Sequence, residues 1–199
     1  MTADNGDTDR QILINNFLAA AFDRQIDLSP TEGEHGYTII EALIADVDKN
    51  IRTKIAKHLS VRSDTPDDLL MLLAGDEIEV AYSVLTHSDL LNDSDLLQLV
   101  VERAREHQIA ISTRMTVSET VSEALVATND IGVVTLLLEN EHANFSTSTM
   151  DQLISMSRDV AEIRATIVAR HDLPPSHGAK LHVWVSDTLR EQLVDRFEF

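Results

Sequence analysis

The sequence predicts an all-α fold made of repeated helical units, and three observations support this fold class. Apolar residues recur at the three- to four-residue spacing of a helix along most of the chain. Polar residues that start helices stand repeatedly in front of these apolar stretches. The 199 residues include only 4 prolines and 6 glycines, so we expect short helices joined by tight turns, without an interior β-sheet.

The first segment of the chain is expected to be separate from the rest. Residues 8–25 have the period of an amphipathic helix. Asp27–Gly36, which follows, is rich in turn-forming residues. We therefore predict an N-terminal amphipathic helix with a turn-rich linker in residues 1–36, and a domain of helical repeats in residues 37–199.

The predicted N-terminal helix carries more apolar residues than a narrow stripe would need. If the helix docks on the repeats through one side, some of these residues stay exposed and favour self-association. A homodimer formed through this helix is one prediction, and docking as an N-terminal cap of the repeats is the somewhat favoured alternative. The residues concerned are Ile12, Leu13, Phe17, Leu18 and Phe22.

Helix starts recur in the second segment. Thr65 precedes Pro66 and two aspartates, which predicts an N-cap oxygen, a favourable proline and two carboxylates at the positive end of a helix. Further starts are predicted where a capping residue is followed three positions later by an acid. These pairs are Asp76 with Glu79, Asn92 with Asp95, Thr116 with Glu119, and Ser148 with Asp151.

A weak internal repeat organises these helices. The strings IAKHLSV, ISTRMTV and IVARHDL begin at Ile55, Ile111 and Ile167, so that two intervals of 56 residues separate them. A unit of this length holds about three helices, and it is longer than the roughly 40–47 residues of a HEAT or armadillo repeat. Because a single unit leaves an apolar face uncovered, we expect the units to stack as a HEAT-like α-solenoid.

Four strings also carry a resemblance to a known family: HSDLLNDSDLLQLV, ISTRMTVSETVSEALVATND, VVTLLLENEHANFS and IVARHDLPP. Together they resemble an uncharacterised, largely alphaproteobacterial domain-of-unknown-function family with HEAT-like helical repeats. The resemblance extends from about Ala42 to Val194. It implies a helical, repeat-like fold and no particular reaction. The first unit departs from the pattern, because His58 stands where the later units have arginine.

Two arginines and one asparagine are candidates for a role at the repeat edge. Arg114 and Arg170 occupy equivalent repeat positions near helix ends. Each arginine can either bind a carboxylate of a partner through paired hydrogen bonds or stabilise helix ends and contacts between repeats. We favour the structural role, because repetition in a solenoid usually marks the interface between units. Asn140 is interpreted as a helix C-cap.

Composition excludes several classes of function. The net charge of -18 opposes phosphate backbones, so nucleic acid is not an expected partner. No apolar run approaches the roughly 20 residues that a membrane-spanning helix needs. The N-terminus carries aspartates where a secretory signal needs positive charge, so a cytoplasmic location is expected.

No catalytic residue, cofactor or metal site is predicted. The sequence has no cysteine, no phosphate-binding glycine loop and no nucleophile elbow. Its 34 acidic residues make carboxylate pairs frequent by chance. The densest histidine group, His171, His177 and His182, surrounds a turn, and we favour a structural role for it over metal binding.

We therefore expect a non-catalytic protein–protein interaction or regulatory module with a protein partner. The alternative is a HEAT-like repeat enzyme, either chromophore-lyase-like or DNA-glycosylase-like, and the negative charge disfavours the DNA version. Trp184 is expected to close the end of the core, with anchoring of a partner as the alternative role.

Overall fold

The computed structural model describes residues 41, 44 and 47–198. Within these residues the fold is all-α, as the sequence predicted, with eleven α-helices and one 3-10 turn. The described part contains no β-strand and only one isolated parallel bridge, between Val117 and Ala143. No described helix is long and apolar enough to cross a bilayer.

The helices are short, and we number them in chain order. They are α1 (Lys49–Leu59), α2 (Asp67–Ala74), α3 (Ile78–His87), α4 (Asp93–Glu102), α5 (Arg105–Ser112), α6 (Glu119–Ala127), α7 (Ile131–Glu139), α8 (Thr147–Met156), the 3-10 turn (Ala161–Ile163), α9 (Arg164–Ala169), α10 (Pro175–Leu181) and α11 (Asp187–Phe197).

The described residues form two compact units, which divide between Asp95 and Leu96. The predicted linker at Asp27–Gly36 lies outside the described residues, as does the predicted N-terminal helix. The domain boundary at residue 36 therefore stays a prediction.

In the first unit, α3 packs against both α1 and α2. Each helix buries apolar residues at the three- to four-residue spacing of one face, such as Ile55 with Leu59 in α1 and Val80 with Val84 in α3. This packing covers the apolar face that a short helix leaves open to water.

In the second unit, α7 is the central helix. It packs against α5, α6, the 3-10 turn and α9. Its sequence is apolar at six of nine positions, and Val133, Val134, Leu137 and Leu138 are buried. On the other side of α6, α8 packs against α6 and α10, while α11 packs against α9 and α10.

The three repeat strings fall in three different helices. Ile55, Ile111 and Ile167, at which the strings begin, lie in α1, α5 and α9 and are all fully buried. Each isoleucine therefore belongs to the core. The repeat length of about 56 residues and the HEAT-like stacking stay predictions.

One predicted cap is confirmed and four are wrong. Asn92 accepts from the backbone of Asp95 at 3.2 Å while Asp95 accepts from the backbone of Asn92 at 3.0 Å, which is the predicted capping box. Ser118, and not Thr116, caps α6 by accepting from Val121. In each unit the caps fix where a helix begins.

The other three wrong caps are Asp76, Ser148 and Thr65. Glu77, and not Asp76, occupies the N-cap position of α3. Ser146, and not Ser148, caps α8. The Thr65 hydroxyl is buried and donates to the carbonyl of Leu59 at the end of α1, at 3.2 Å, so that Pro66 occupies the N-cap position of α2. At α8 a second hydroxyl residue near the helix start caps the helix although no acid follows it at the expected spacing. The hydroxyl of Thr65 instead bonds the end of α1, a contact that sequence spacing does not reveal.

An ion pair at the start of the third helix recurs in both units. Arg52 of α1 bonds Asp76, two residues before α3, at 2.6 Å. Arg105 of α5 bonds Asp130, the N-cap of α7, also at 2.6 Å. Both carboxylates lie at the positive end of a helix dipole, so each pair stabilises a helix start.

We predict that Asp130→Ala lowers the free energy of unfolding by about 1–2 kcal/mol at neutral pH, mainly through the lost cap to the backbone of Val133. The exposed ion pair adds little. The hydrogen bond from Arg105, followed by that from Val133, holds the pKa of Asp130 below its ordinary value. The carboxylate's contribution is therefore complete above the unfolded pKa of about 3.9, and is lost as the pH falls through the lower folded pKa.

Denaturant unfolding at pH 7 and near pH 3 measures this effect. The difference between the natural chain and Asp130→Ala should shrink at the lower pH. The exposed Asp159→Ala serves as the control and should behave like the natural chain at both pH values. An equal loss at both pH values would show that the ionised cap does not act as described.

Candidate functional site

Arg170 is buried, and all five of its N–H groups are used within the chain. It donates to the backbone carbonyls of Leu138, Asn140 and Ala143 at 2.9, 3.0 and 2.9 Å. Two further bonds of 2.8 Å go to the carboxylate of Asp172. A guanidinium bonded in this way has no donor left for a partner's carboxylate.

The surroundings of Arg170 balance its charge. Partial burial raises the pKa of the Asp172 carboxyl, but the hydrogen bonds and charge of Arg170 outweigh burial and the net shift is downward. The guanidinium also lies 4.6 Å from the centre of the Phe145 ring. Because the carbonyls that it bonds follow the end of α7, Arg170 joins the loop after α9 to that helix end.

Asn140 makes the same kind of contact two helices earlier, since it follows α7 and bonds the end of α5. Its side-chain amide donates to the carbonyls of Ser112 and Arg114, at 2.9 and 2.8 Å, which lie at the end of α5. The side chain of Arg114 is also buried. These positions favour the structural interpretation of Arg114, Asn140 and Arg170 over an exposed row of cations.

Arg196 completes the series, and sequence reasoning missed it. Its guanidinium donates to the carbonyls of Val168, Arg170 and His171 at 3.1, 2.6 and 2.7 Å, at the end of α9. We call Asn140, Arg170 and Arg196 the clamp residues, since each satisfies carbonyls at a helix end 25 to 32 residues earlier in the chain. Their partners are backbone groups, which leave no signature in sequence.

The candidate binding site is a groove beside the only tryptophan of the chain, with a volume of about 470 Å³. Helix α8 supplies side chains at helical spacing to one wall, while α10 and the turn after it supply the other. The groove residues are Asp151, Ile154, Ser155, Arg158, Lys180, Val183 and Trp184.

The indole of Trp184 is fixed in place within this groove. Its Nε1 donates to the hydroxyl of Ser157 at 3.0 Å, and that hydroxyl donates to the carbonyl of Ile154 at 2.7 Å. The Arg158 guanidinium lies over the ring, 4.7 Å from its centre. Trp184 is half-buried, so one part packs on the protein while another part faces the groove.

The cations of the groove differ in how they are balanced. Lys180 is bonded to Asp151, and this hydrogen bond holds the pKa of the Asp151 carboxyl below its ordinary value. The buried His177 lies 3.2 Å from the same carboxylate. For Arg158, no carboxylate of the described residues lies within ion-pair distance.

Among the described residues, the groove does not position a nucleophile. Nε2 of His177 lies 3.2 Å from the Asp151 carboxylate to form an acid–imidazole pair, but neither ring nitrogen makes a hydrogen bond in the described part of the chain, so no nucleophile is positioned on it. Ser157 is nearby, but its hydroxyl is used between Trp184 and Ile154. A stacked arginine, an indole and an aliphatic wall instead form a surface of the kind that anchors a partner.

The remaining predicted residues lie elsewhere. Ile12, Leu13, Phe17, Leu18 and Phe22 are outside the described residues, so the predicted self-association stays a prediction. Of the predicted histidine group, His171 is exposed, His177 is buried and His182 is half-buried. Among the described residues, no group of three histidine or acidic side chains is arranged to hold a metal ion.

Comparison with known proteins identifies one family. A family described as "Uncharacterised protein conserved in bacteria (DUF2336)" matches residues 80–199. No curated protein and no solved structure matches the chain. The match includes α4 to α11, and therefore both the clamp residues and the groove.

Proposed function

The chain belongs to this family of uncharacterised bacterial proteins, and we propose that it is a non-catalytic protein-interaction module whose binding surface is the groove beside Trp184. HEAT-like stacking of the helices and a cytoplasmic location are part of the same proposal. The eleven short helices of the described residues support the first of these.

One observation carries the proposal: an arginine without a carboxylate partner among the described residues lies on a fixed indole, next to an exposed aliphatic side chain. Val183 is 73% exposed and belongs to the same groove as Arg158 and Trp184. Tryptophan and arginine are enriched among the residues that contribute most to protein–protein binding. Exposed aliphatic surface beside them supplies the apolar contact that such interfaces use.

The enzyme alternative has less support. The buried arginine Arg170 serves the backbone, and the acid–imidazole pair of Asp151 and His177 positions no nucleophile. A DNA-glycosylase-like activity needs a basic surface, whereas the chain carries a net charge of -18. The folded scaffold thus offers a docking surface more readily than a reaction centre.

Site-specific photocrosslinking in the bacterial host tests the proposal. A photoreactive side chain at position 183 should yield discrete heavier products that contain a second protein. The matched control places the same side chain at Met115, which is 72% exposed in the same unit and lies outside the groove. The products from position 183 should disappear when Trp184→Ala is added, because the indole fixes the groove wall.

Three results would contradict the proposal. One is the same set of products from positions 183 and 115, which would indicate chance collision. Another is products at position 183 that persist after Trp184→Ala. The third is the absence of any crosslinked protein at position 183.

A further inference from the structure

We propose that the groove beside Trp184 recognises a segment of a partner protein in which a carboxylate side chain lies next to an aliphatic side chain. This inference rests on the proposed function and adds the chemistry of the ligand. The carboxylate bonds Arg158, and the aliphatic side chain packs between Val183 and Trp184.

Arg158 is prepared for a carboxylate before the partner arrives. Its guanidinium lies over Trp184, and a guanidinium that packs on an aromatic ring through its face keeps the N–H groups at its own edge available for hydrogen bonds. The backbone at this point is fixed by Arg164, which donates to the carbonyls of Ser157 and Arg158, both at 2.7 Å. A side chain held in this way loses less conformational entropy on binding than a freely rotating arginine.

The charge of the groove selects an anion. Arg158 and Lys180 contribute two positive charges and Asp151 contributes one negative charge, so these three side chains are net positive. The whole chain is strongly negative, with a net charge of -18. An acidic segment is therefore repelled by most of the surface and attracted to this groove. This contrast in charge directs the segment to the groove.

The same charges argue against a nucleic acid as the ligand. A nucleic acid presents a phosphate at every nucleotide, and its binding depends on several cations along its path. The groove offers one unbalanced cation within a strongly acidic molecule. A peptide segment with one carboxylate and neighbouring apolar groups matches the groove more closely than a nucleic acid does, both in charge and in size.

The apolar part of the groove selects the neighbour of the carboxylate. Val183 is largely exposed, while Ile154 contributes a mostly buried wall and Trp184 contributes a ring face. A leucine, isoleucine or valine placed here removes apolar surface of both molecules from water. An acidic segment with only polar neighbours would leave this surface uncovered.

The single tryptophan of the chain provides a fluorescence probe inside the groove. Because Trp184 is the only tryptophan in the chain, a change in tryptophan fluorescence, excited selectively over that of the 2 tyrosines, reports on this position alone. Three short synthetic peptides without aromatic residues serve as probes: one of glutamate, leucine and glycine, one with each glutamate replaced by glutamine, and one with each leucine replaced by serine. Titration of the full chain with each peptide measures the affinity.

The expected result is saturable binding of the glutamate–leucine peptide, weakened at least tenfold in Arg158→Gln, about the effect of losing one charge-assisted contact. The glutamine and serine peptides should also bind at least about tenfold more weakly. Arg103→Gln removes an exposed arginine outside the groove and should leave the affinity within about twofold. Arg158→Lys should give an intermediate affinity, since a point charge lacks the planar, two-pronged contact.

The inference is overturned if the glutamate peptide does not bind, if it binds no better than the glutamine peptide, or if Arg158→Gln leaves its affinity unchanged. Circular dichroism melts of all three arginine variants establish that they are folded. If the peptides fail while photocrosslinking at position 183 still yields a Trp184-dependent protein product, the ligand chemistry is wrong and the interaction module stands. If crosslinking fails as well, both proposals fall.

Discussion

Replacing Arg170 by methionine is expected to lower the free energy of unfolding by about 3–5 kcal/mol. Methionine fills part of the same volume but donates no hydrogen bond. The carbonyls of Leu138, Asn140 and Ala143 would each lose a donor, and the Asp172 carboxylate would lose its cation. Two of these contacts are buried, so water replaces them only if the structure opens.

Urea unfolding followed by circular dichroism measures this loss. Arg103→Met is the control: the same substitution at an exposed position should change the free energy of unfolding by no more than about 0.5 kcal/mol. Arg170→Lys should lose nearly as much free energy of unfolding as Arg170→Met, because the single ammonium nitrogen of lysine cannot reach all five acceptor atoms that the guanidinium bonds. If Arg170→Met unfolds at the same urea concentration as the control, the clamp residues do not stabilise the helix ends in the way proposed.

The all-α class was predictable from sequence because it depends on local patterns. Helical periodicity and capping residues recur along the chain, and both act within one or two turns. The wrong caps show that such patterns do not identify which residue caps a helix. Ser118 and Ser146 each lie two residues from the predicted capping residue, and neither is followed by an acid three positions later, so the spacing rule selected the wrong hydroxyl.

The clamp residues show what local patterns leave out. The sequence pointed to Asn140 and Arg170, because they belong to strings that resemble one another or the family. Arg196 does the same work at the end of α9 and has no such string around it. Its acceptors are carbonyls of residues 168, 170 and 171, and a backbone carbonyl is present at every position whatever the side chain.

The groove was missed for a related reason. Trp184 was predicted to close the core, and it does pack its Nε1 against Ser157 of the neighbouring segment. Arg158 gave no signal in the sequence, because it lies 26 residues before the tryptophan that it stacks on. Only the packing of α8 against α10 brings the two together, and the pairing of these helices depends on tertiary contacts.

The second large effect is expected in α7, where Leu137→Ala should lower the free energy of unfolding by about 2–5 kcal/mol. Leu137 is fully buried, and α7 packs against four other elements of its unit. Removing its isobutyl group loses the transfer free energy of the missing atoms and leaves a cavity between helices that are fixed on several sides. A neighbourhood held in this way has little freedom to collapse, so the upper half of the range is favoured.

Ile131→Ala provides a control on the same helix. Ile131 is the first residue of α7 and is 44% exposed, so the substitution deletes a similar aliphatic group with little change in packing. Alanine also has a better helix propensity than isoleucine, which offsets part of the lost contact, and the net change should stay within about 1 kcal/mol. If both variants lose the same amount in urea unfolding, helix formation rather than burial limits the stability of α7. A loss confined to Leu137→Ala places the stability in the packed face of α7. The helices packed against α7 include α5, whose end Asn140 bonds, and α9, after which Arg170 reaches back to the end of α7.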